Sequence, residues 1–235
     1  MQISSRVQIP LPPPILPEAG YVLLEAGAMT AATSRTLLEL GAATLGESGG
    51  RPMRASIKPA WDGATLAAPA FPVRCTPGDN LAIHVAVARA PVGHALVVDV
   101  GTERELGYWG EVLTTGAEAR GLTGLVIDGC VRDAAALVAH GFPVFSTGLA
   151  LTGATKELPG SVGGSTIAGG VEVRLGDWVV GDVDGVTVVP GDALEQVLAA
   201  GIARAEKEAA MFARLRDGAT TMEILSLDAS PIEHA

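Results

Sequence analysis

Three short apolar runs separated by two stretches of helical spacing restrict the fold of this chain more than any other feature. Residues 95–100 (ALVVDV), 124–127 (GLVI) and 143–146 (PVFS) read as buried strands. Residues 108–120 and 133–139 read as the helices between them. A βαβαβ alternation predicts a parallel or mixed sheet with right-handed crossovers. Residues 163–190 then carry strand-like runs broken at Gly169-Gly170, Gly176-Asp177 and Asp184-Gly185, a β-rich layer with hairpin turns. A long helix is predicted over 192–216, with Asp192 and Glu195 spaced as a capping box and Gly218 just past its end. The expected fold class is α/β: one layered α/β/β-type domain with a βαβαβ segment, a β-rich layer and a long C-terminal helix.

The remaining segments are weaker guides. Residues 1–18, with Pro10, Pro12, Pro13, Pro14 and Pro17, suit an extended arm that packs on a neighbouring subunit or hangs as a loose tail. The domain is expected over 19–225 and a tail over 226–235. Residues 34–41 have helical spacing through Leu37, Leu38 and Leu40, while the Gly- and Pro-rich stretch 46–77 suggests loops and short strands. Asp79 or Asn80 suits the cap of a helix carrying Leu81, Ile83, Val85 and Val87, although the same residues alternate as a strand would.

Composition narrows the function. Aromatic residues are 4% of a chain that is 48% hydrophobic, so its core is aliphatic. A net charge of −10 argues against nucleic-acid binding, which needs a basic surface. No apolar run nears the roughly 18 residues that span a membrane, and the first 20 residues lack the layout of a signal peptide. A cytoplasmic protein with no membrane partner is the expectation. Cys75 and Cys130 read as small buried hydrophobes.

The chemistry concentrates in residues 124–133, GLVIDGCVRD. A buried strand stops at Asp128-Gly129, and Arg132 and Asp133 stand where the next helix starts. Ligands of open α/β sheets gather beyond the carboxyl ends of strands. A guanidinium there grips an oxygen pair as a fork, and a carboxylate holds a hard divalent ion. Together they suit a small α-keto acid, although an Arg-Asp pair at a helix start also serves as a plain cap and surface ion pair. Asp128 and Asp184, each before glycine, read as turn formers, with Asp182 in the same class. His84, His94, His140 and His234 lack the spacing of a zinc site and carry no assigned role. Lys58, Lys156 and Lys207 read as surface or rim charges, which leaves no evident Schiff-base lysine.

These residues resemble the family of 4-hydroxy-4-methyl-2-oxoglutarate/4-carboxy-4-hydroxy-2-oxoadipate aldolases, whose fold is shared with the regulator of ribonuclease activity A. The likeness runs from about Leu37 to Leu225. It rests on TPGDN (Thr76 to Asn80), WGE (Trp109 to Glu111), GLVIDGCVRD, and GDWVVGDVDGVTVVP (Gly176 to Pro190). The resemblance implies a metal-dependent retro-aldol cleavage that releases pyruvate, in a homotrimer or homohexamer. Arg132 matches the residue that binds the substrate's carboxylate and carbonyl region, and Asp133 the ligand of Mg²⁺ or Mn²⁺. Glu111 matches an acidic residue that orients water at the metal. Gly110 and the amides around Val112 and Leu113 match the pyruvate-binding helix start. Glu208, with Glu206 as runner-up, matches a carboxylate supplied by an adjacent subunit. Ala136 departs from the family pattern, which has Glu or Asp three residues after the metal-binding Asp.

Three other functions compete. The resemblance also allows a non-enzymatic, protein-binding regulator of an RNA-degrading enzyme, in which the metal-binding Asp is typically replaced; Asp133 favours the enzyme. Oxaloacetate decarboxylation passes through the same enolate and fits the same site. A methyltransferase reading of VVDVG (residues 97–101) fails because Thr102, Glu103 and Arg104 follow where a cofactor turn needs small residues.

Overall fold

The computed structural model describes residues 20–232, with side chains from residue 30 onward. The proline-rich arm expected over 1–18 lies outside the described residues. The elements in chain order are α1 (Gly20–Glu47), β1 (Arg51–Pro52), β2 (Lys58–Pro59), β3 (Leu66–Arg74), α2 (Leu81–Arg89), β4 (Ala95–Asp99), α3 (Glu111–Ala119), β5 (Gly124–Asp128) and β6 (Cys130–Val131). There follow α4 (Ala134–His140), β7 (Val144–Ser146), β8 (Gly148–Leu149), β9 (Ser161–Val162), β10 (Ser165–Ala168), β11 (Val171–Arg174), β12 (Trp178–Asp182), β13 (Gly185–Val189), α5 (Leu194–Arg216) and α6 (Thr221–Leu225).

The main sheet runs β1-β13-β12-β3-β4-β5-β7-β2, with β9 also paired to β3. Strands β3, β4, β5 and β7 are parallel, and α2, α3 and α4 are the crossovers between them. The expected alternation therefore holds, and it begins one unit earlier, at β3. Strands β12 and β13 extend the sheet antiparallel, and β2 lies close to both, so the sheet curls.

Period-two side-chain alternation divides the interior. Leu96, Val98, Leu125 and Ile127 point to the cluster under α2, α3 and α4. Ala95, Val97, Val126 and Val179 point to the opposite face, where Phe145 fills the centre. Trp178, Val180 and Val189 pack beneath α1 and α5 with Leu37, Leu45 and Val197. The result is the layered α/β domain expected.

Four local expectations need correction. The stretch 46–77 holds a nine-residue interior strand, β3, despite Pro69 and Pro72. It survives because β12 pairs only Leu66 to Pro69 and β4 only Ala70 to Arg74. Each proline thus has one ladder side that needs no amide donor from it. The helix predicted from 108 starts at Glu111, because residues 107–110 instead run beside β6 and its continuation: the Tyr108 amide donates to Cys130 and the Arg132 amide to Trp109. No side-chain cap forms at Asp192; a 3-10 turn at Gly191–Ala193 leads into α5. The capping box is at α6, between Thr220 and Glu223. Lastly, Asp128 is more than a turn former. It is 1% exposed and accepts from the Gly169 amide (3.1 Å), Arg104 (3.1 Å) and Arg54, tying the end of β5 to three connecting segments.

Phe145 has no solvent exposure, and a Cβ added to Gly181 would meet its ring at 2.6 Å. The fit leaves no slack on that side. We expect Phe145→Ala to cost about 3–5 kcal/mol in urea unfolding; a loss under about 1 kcal/mol would show that this core face collapses freely.

Candidate active site

The carboxyl end of β5 leads through Gly129 into β6, and the chain turns at Arg132 and Asp133 to enter α4. Residues 107–110 lie alongside. Two glycines permit this approach by having no side chain. A Cβ at Gly107 would lie 2.7 Å from the Ala150 carbonyl oxygen and 3.0 Å from Arg132 Cδ, and one at Gly110 would lie 2.3 Å from Asp133 Oδ2. With the space open, Asp133 Oδ2 accepts from the Glu111 amide at 3.1 Å and lies 3.7 Å from Arg132 Nε. Asp133 itself holds a left-handed backbone (φ 59°, ψ 40°), one of two described non-glycine residues with positive φ. Asp tolerates that conformation better than most residues, and such strain concentrates at functional sites.

Helix α3 begins at this junction. Its first intrahelical donor is Thr114, bonded to the Gly110 carbonyl. The Glu111 amide is taken by Asp133, which leaves the Val112 and Leu113 amides without a partner among the described residues. Free amides at a helix start attract anions through direct donation and the helix dipole. They border a cavity of about 170 Å³ lined also by Asn80, His84, Tyr108, Gly110, Arg132 and Lys156. Arg132 is shared with a more open groove of about 540 Å³ bounded by Asp133, Ala134, Leu149, Ala150 and Leu151.

The expected residues divide on this geometry. Gly110, Val112, Leu113 and Arg132 meet around the cavity, with Asp133 next to them. Glu111 contributes its amide, whereas its carboxylate points to His140 (Oε1–Nε2 3.8 Å). Glu208 lines neither space; it pairs with Arg204 along α5 (2.9 Å). Glu206 is exposed on the same helix and also lines neither.

Asn80 and His84 were not expected here. They stand four apart at the start of α2, on one face, and that face borders the cavity. The asparagine that closes TPGDN, followed by an imidazole four residues on, was the available signal. Lys156 belongs to the rim, as read, on a loop held by Asp79. That carboxylate is 1% exposed and accepts from the Leu81, Glu157 and Leu158 amides and the Thr155 hydroxyl. Burial opposes its ionisation, but these four donors outweigh burial and hold it down at about 2.

Among the described residues no three His, Cys, Asp or Glu side chains cluster as a metal cage, and Ala136 offers no further carboxylate. Asp133 nevertheless suits a cation that keeps most of its water, as Mg²⁺ does. Its Oδ1 accepts no hydrogen bond among the described residues, and it borders a groove roomy enough for a hydrated ion.

The fold is thus a layered one on a mixed sheet with a parallel centre, and it sets an open helix start beside an Arg-Asp pair. Residues 31–188 match the model of the RraA-like family, described as Aldolase/RraA. The chain belongs to that family. It is 35% identical over 146 residues to a Halalkalibacterium halodurans protein provisionally named 4-hydroxy-4-methyl-2-oxoglutarate aldolase, covering 62% of this chain and 70% of that one. Among solved structures, Streptomyces coelicolor RraAS2, described as an unusual member of the RNase ES inhibitor RraA family, superposes with a TM-score of 0.67. It is 27% identical, over 78% of this chain and 96% of its own. A Geobacillus kaustophilus structure titled as an S-adenosylmethionine:2-dimethylmenaquinone methyltransferase gives 0.58 at 28% identity, over 71% and 97%. No helix among the described residues is long and apolar enough to cross a membrane.

Asp79 gives a stability prediction whose sign follows from its lowered pKa. Its contribution is fully present above the ordinary carboxylate value of 3.8 and is lost as pH falls through about 2. We expect Asp79→Ala to lose about 2 kcal/mol at pH 7, with the gap to wild type closing between pH 4 and 2 in denaturant titrations. A gap independent of pH would refute the ionised staple.

Proposed function

We propose that the chain is a carbon–carbon lyase that cleaves a 4-hydroxy-2-oxo acid to pyruvate and a second carbonyl compound, with Mg²⁺ or Mn²⁺ as cofactor. The observation that carries this reading is the convergence of Arg132 and two free α3 amides on one small cavity, with Asp133 beside it in the adjoining groove that Arg132 also lines. Pyruvate-sized keto acids present a carboxylate beside a carbonyl. The Val112 and Leu113 amides receive the carboxylate, and Arg132 reaches it or the carbonyl oxygen. Breaking the C3–C4 bond leaves its electron pair on the pyruvate part as an enolate. The α3 dipole and Arg132 stabilise that charge without reorganising. Asp133 would hold the divalent ion, which when bound acts as a Lewis acid toward the carbonyl oxygen, an effect of several kcal/mol. Glu111 would have to turn from His140 toward the site to take part in moving the hydroxyl proton.

Oxaloacetate decarboxylation requires the same enolate stabilisation, and we assign it to the same site. Glu208 fits as a carboxylate contributed by an adjacent copy, which makes a homotrimer or homohexamer the active unit. The exposure of Ile202, Phe212, Met222, Leu225 and Leu227 on and after α5 supports that reading. The similarity to RraAS2 favours a second reading, a protein-binding regulator of an RNA-degrading enzyme. Methyltransferase activity, named for the Geobacillus kaustophilus neighbour, finds no counterpart at residues 97–101. There Asp99 accepts from the Gly101 amide (2.8 Å), and a Cβ at Gly101 would meet Pro77 at 2.8 Å, so the turn packs on protein.

The test is a coupled pyruvate assay with 4-hydroxy-2-oxo acids and oxaloacetate, with and without Mg²⁺ or Mn²⁺. Wild type should require the metal, and Asp133→Ala should lower turnover by about 100-fold or more while its gel-filtration volume stays unchanged. Undiminished turnover in that variant, or chelator-resistant turnover with a borohydride-trapped adduct on Lys156, would refute the metal reading. Flat responses to every substrate would favour the regulator.

A further inference from the structure

Asn80 and His84 line the cavity, yet nothing in the proposed pyruvate contacts employs them. Asn80 is 5% exposed. Its Nδ2 donates to the Tyr108 carbonyl at 2.8 Å, which fixes the orientation of the amide: the reversed amide would set oxygen against oxygen. Its Oδ1 is therefore a committed acceptor, and it has no partner. The Nε2 of His84 is likewise buried and unpartnered. Burial, reinforced by the charge of Lys156 and opposed by Asp79, keeps this imidazole below its ordinary range and so neutral at pH 7. A protein rarely leaves two buried polar atoms unpaired on one helix face, and such exceptions point to a ligand or an ordered water.

The two atoms differ in what they need. Asn80 Oδ1 requires a donor, which excludes a carboxylate or a carbonyl as its partner. A neutral imidazole nitrogen accepts or donates according to its tautomer. A hydroxyl satisfies both together: its O–H donates to Asn80 Oδ1 while its oxygen accepts from His84 in the tautomer that carries the proton on Nε2. We infer that Asn80 and His84 are specificity residues that recognise the C4 hydroxyl of the substrate. The inference rests on the lyase reading above. It sorts the two proposed reactions: an aldol substrate carries that hydroxyl, whereas oxaloacetate presents a carboxylate there. The cavity is built for the hydroxy acid, and decarboxylation is the accessory reaction.

The test compares kcat/KM for 4-hydroxy-4-methyl-2-oxoglutarate and for oxaloacetate in Mg²⁺, using wild type, Asn80→Ala, His84→Ala and His84→Gln. Losing a hydrogen bond to a substrate hydroxyl is expected to lower the ratio of hydroxy-acid to oxaloacetate kcat/KM by about tenfold or more in both alanine variants. His84→Gln, which returns a polar atom near the Nε2 position, should restore the ratio to within about threefold of wild type. Simple loss of fold would depress both substrates together and leave the ratio alone. An unchanged ratio in either alanine variant, or a His84→Gln ratio as low as that of His84→Ala, overturns the inference. If wild type releases pyruvate from neither substrate, the lyase reading itself has failed and takes this one with it; activity on either substrate separates the two failures.

Discussion

The hydrogen bond from the Glu111 amide to Asp133 Oδ2 is the constraint on which the site depends. It joins the start of α3 to the start of α4, two helices that otherwise belong to successive crossovers of the sheet. It forms only because Gly110 has no Cβ, since any larger residue would occupy the carboxylate's place. One oxygen of Asp133 is thereby fixed while the other is left open. The same closeness leaves the next two α3 amides facing the cavity that Arg132 enters. An open helix start and a carboxylate with one free oxygen are thus set side by side by backbone geometry.

The second structural commitment is on the far wall. Asp79 accepts four hydrogen bonds and ties the loop of residues 153–158 to the start of α2. That loop brings Gly153, Ala154 and Lys156 to the cavity, and α2 brings Asn80 and His84. The wall is held by an ionised, buried carboxylate, whereas the opposite side is held by close backbone packing.

Much of the fold was legible because the central strands are buried on both faces and read as unbroken apolar runs. Residues 95–100 and 124–127 left little choice. Strand β3 was hidden by its prolines, and recognising it required knowing that its ladder partners change halfway. Asp128 looked like an Asp-Gly turn because its partners, Arg54 and Arg104, are distant in sequence. The site divides in the same way. Arg132 and Asp133 stand out locally at a strand-to-helix junction, and resemblance to a family gave them roles. Glu111 illustrates the limit of spacing: its amide is in the site while its carboxylate faces His140. Asn80 and His84 escaped because histidines were weighed as zinc ligands, by their spacing from one another. Their significance lies in which helix face the fold turns toward the cavity.

A crystal structure grown with pyruvate and Mg²⁺ would test the central claim most directly. The account predicts a pyruvate carboxylate on the Val112 and Leu113 amides within reach of Arg132, with Asp133 keeping its bond to the Glu111 amide and facing the cation. Pyruvate bound away from this cavity, or Asp133 swung clear of Glu111 with the two glycine-lined segments apart, would contradict it.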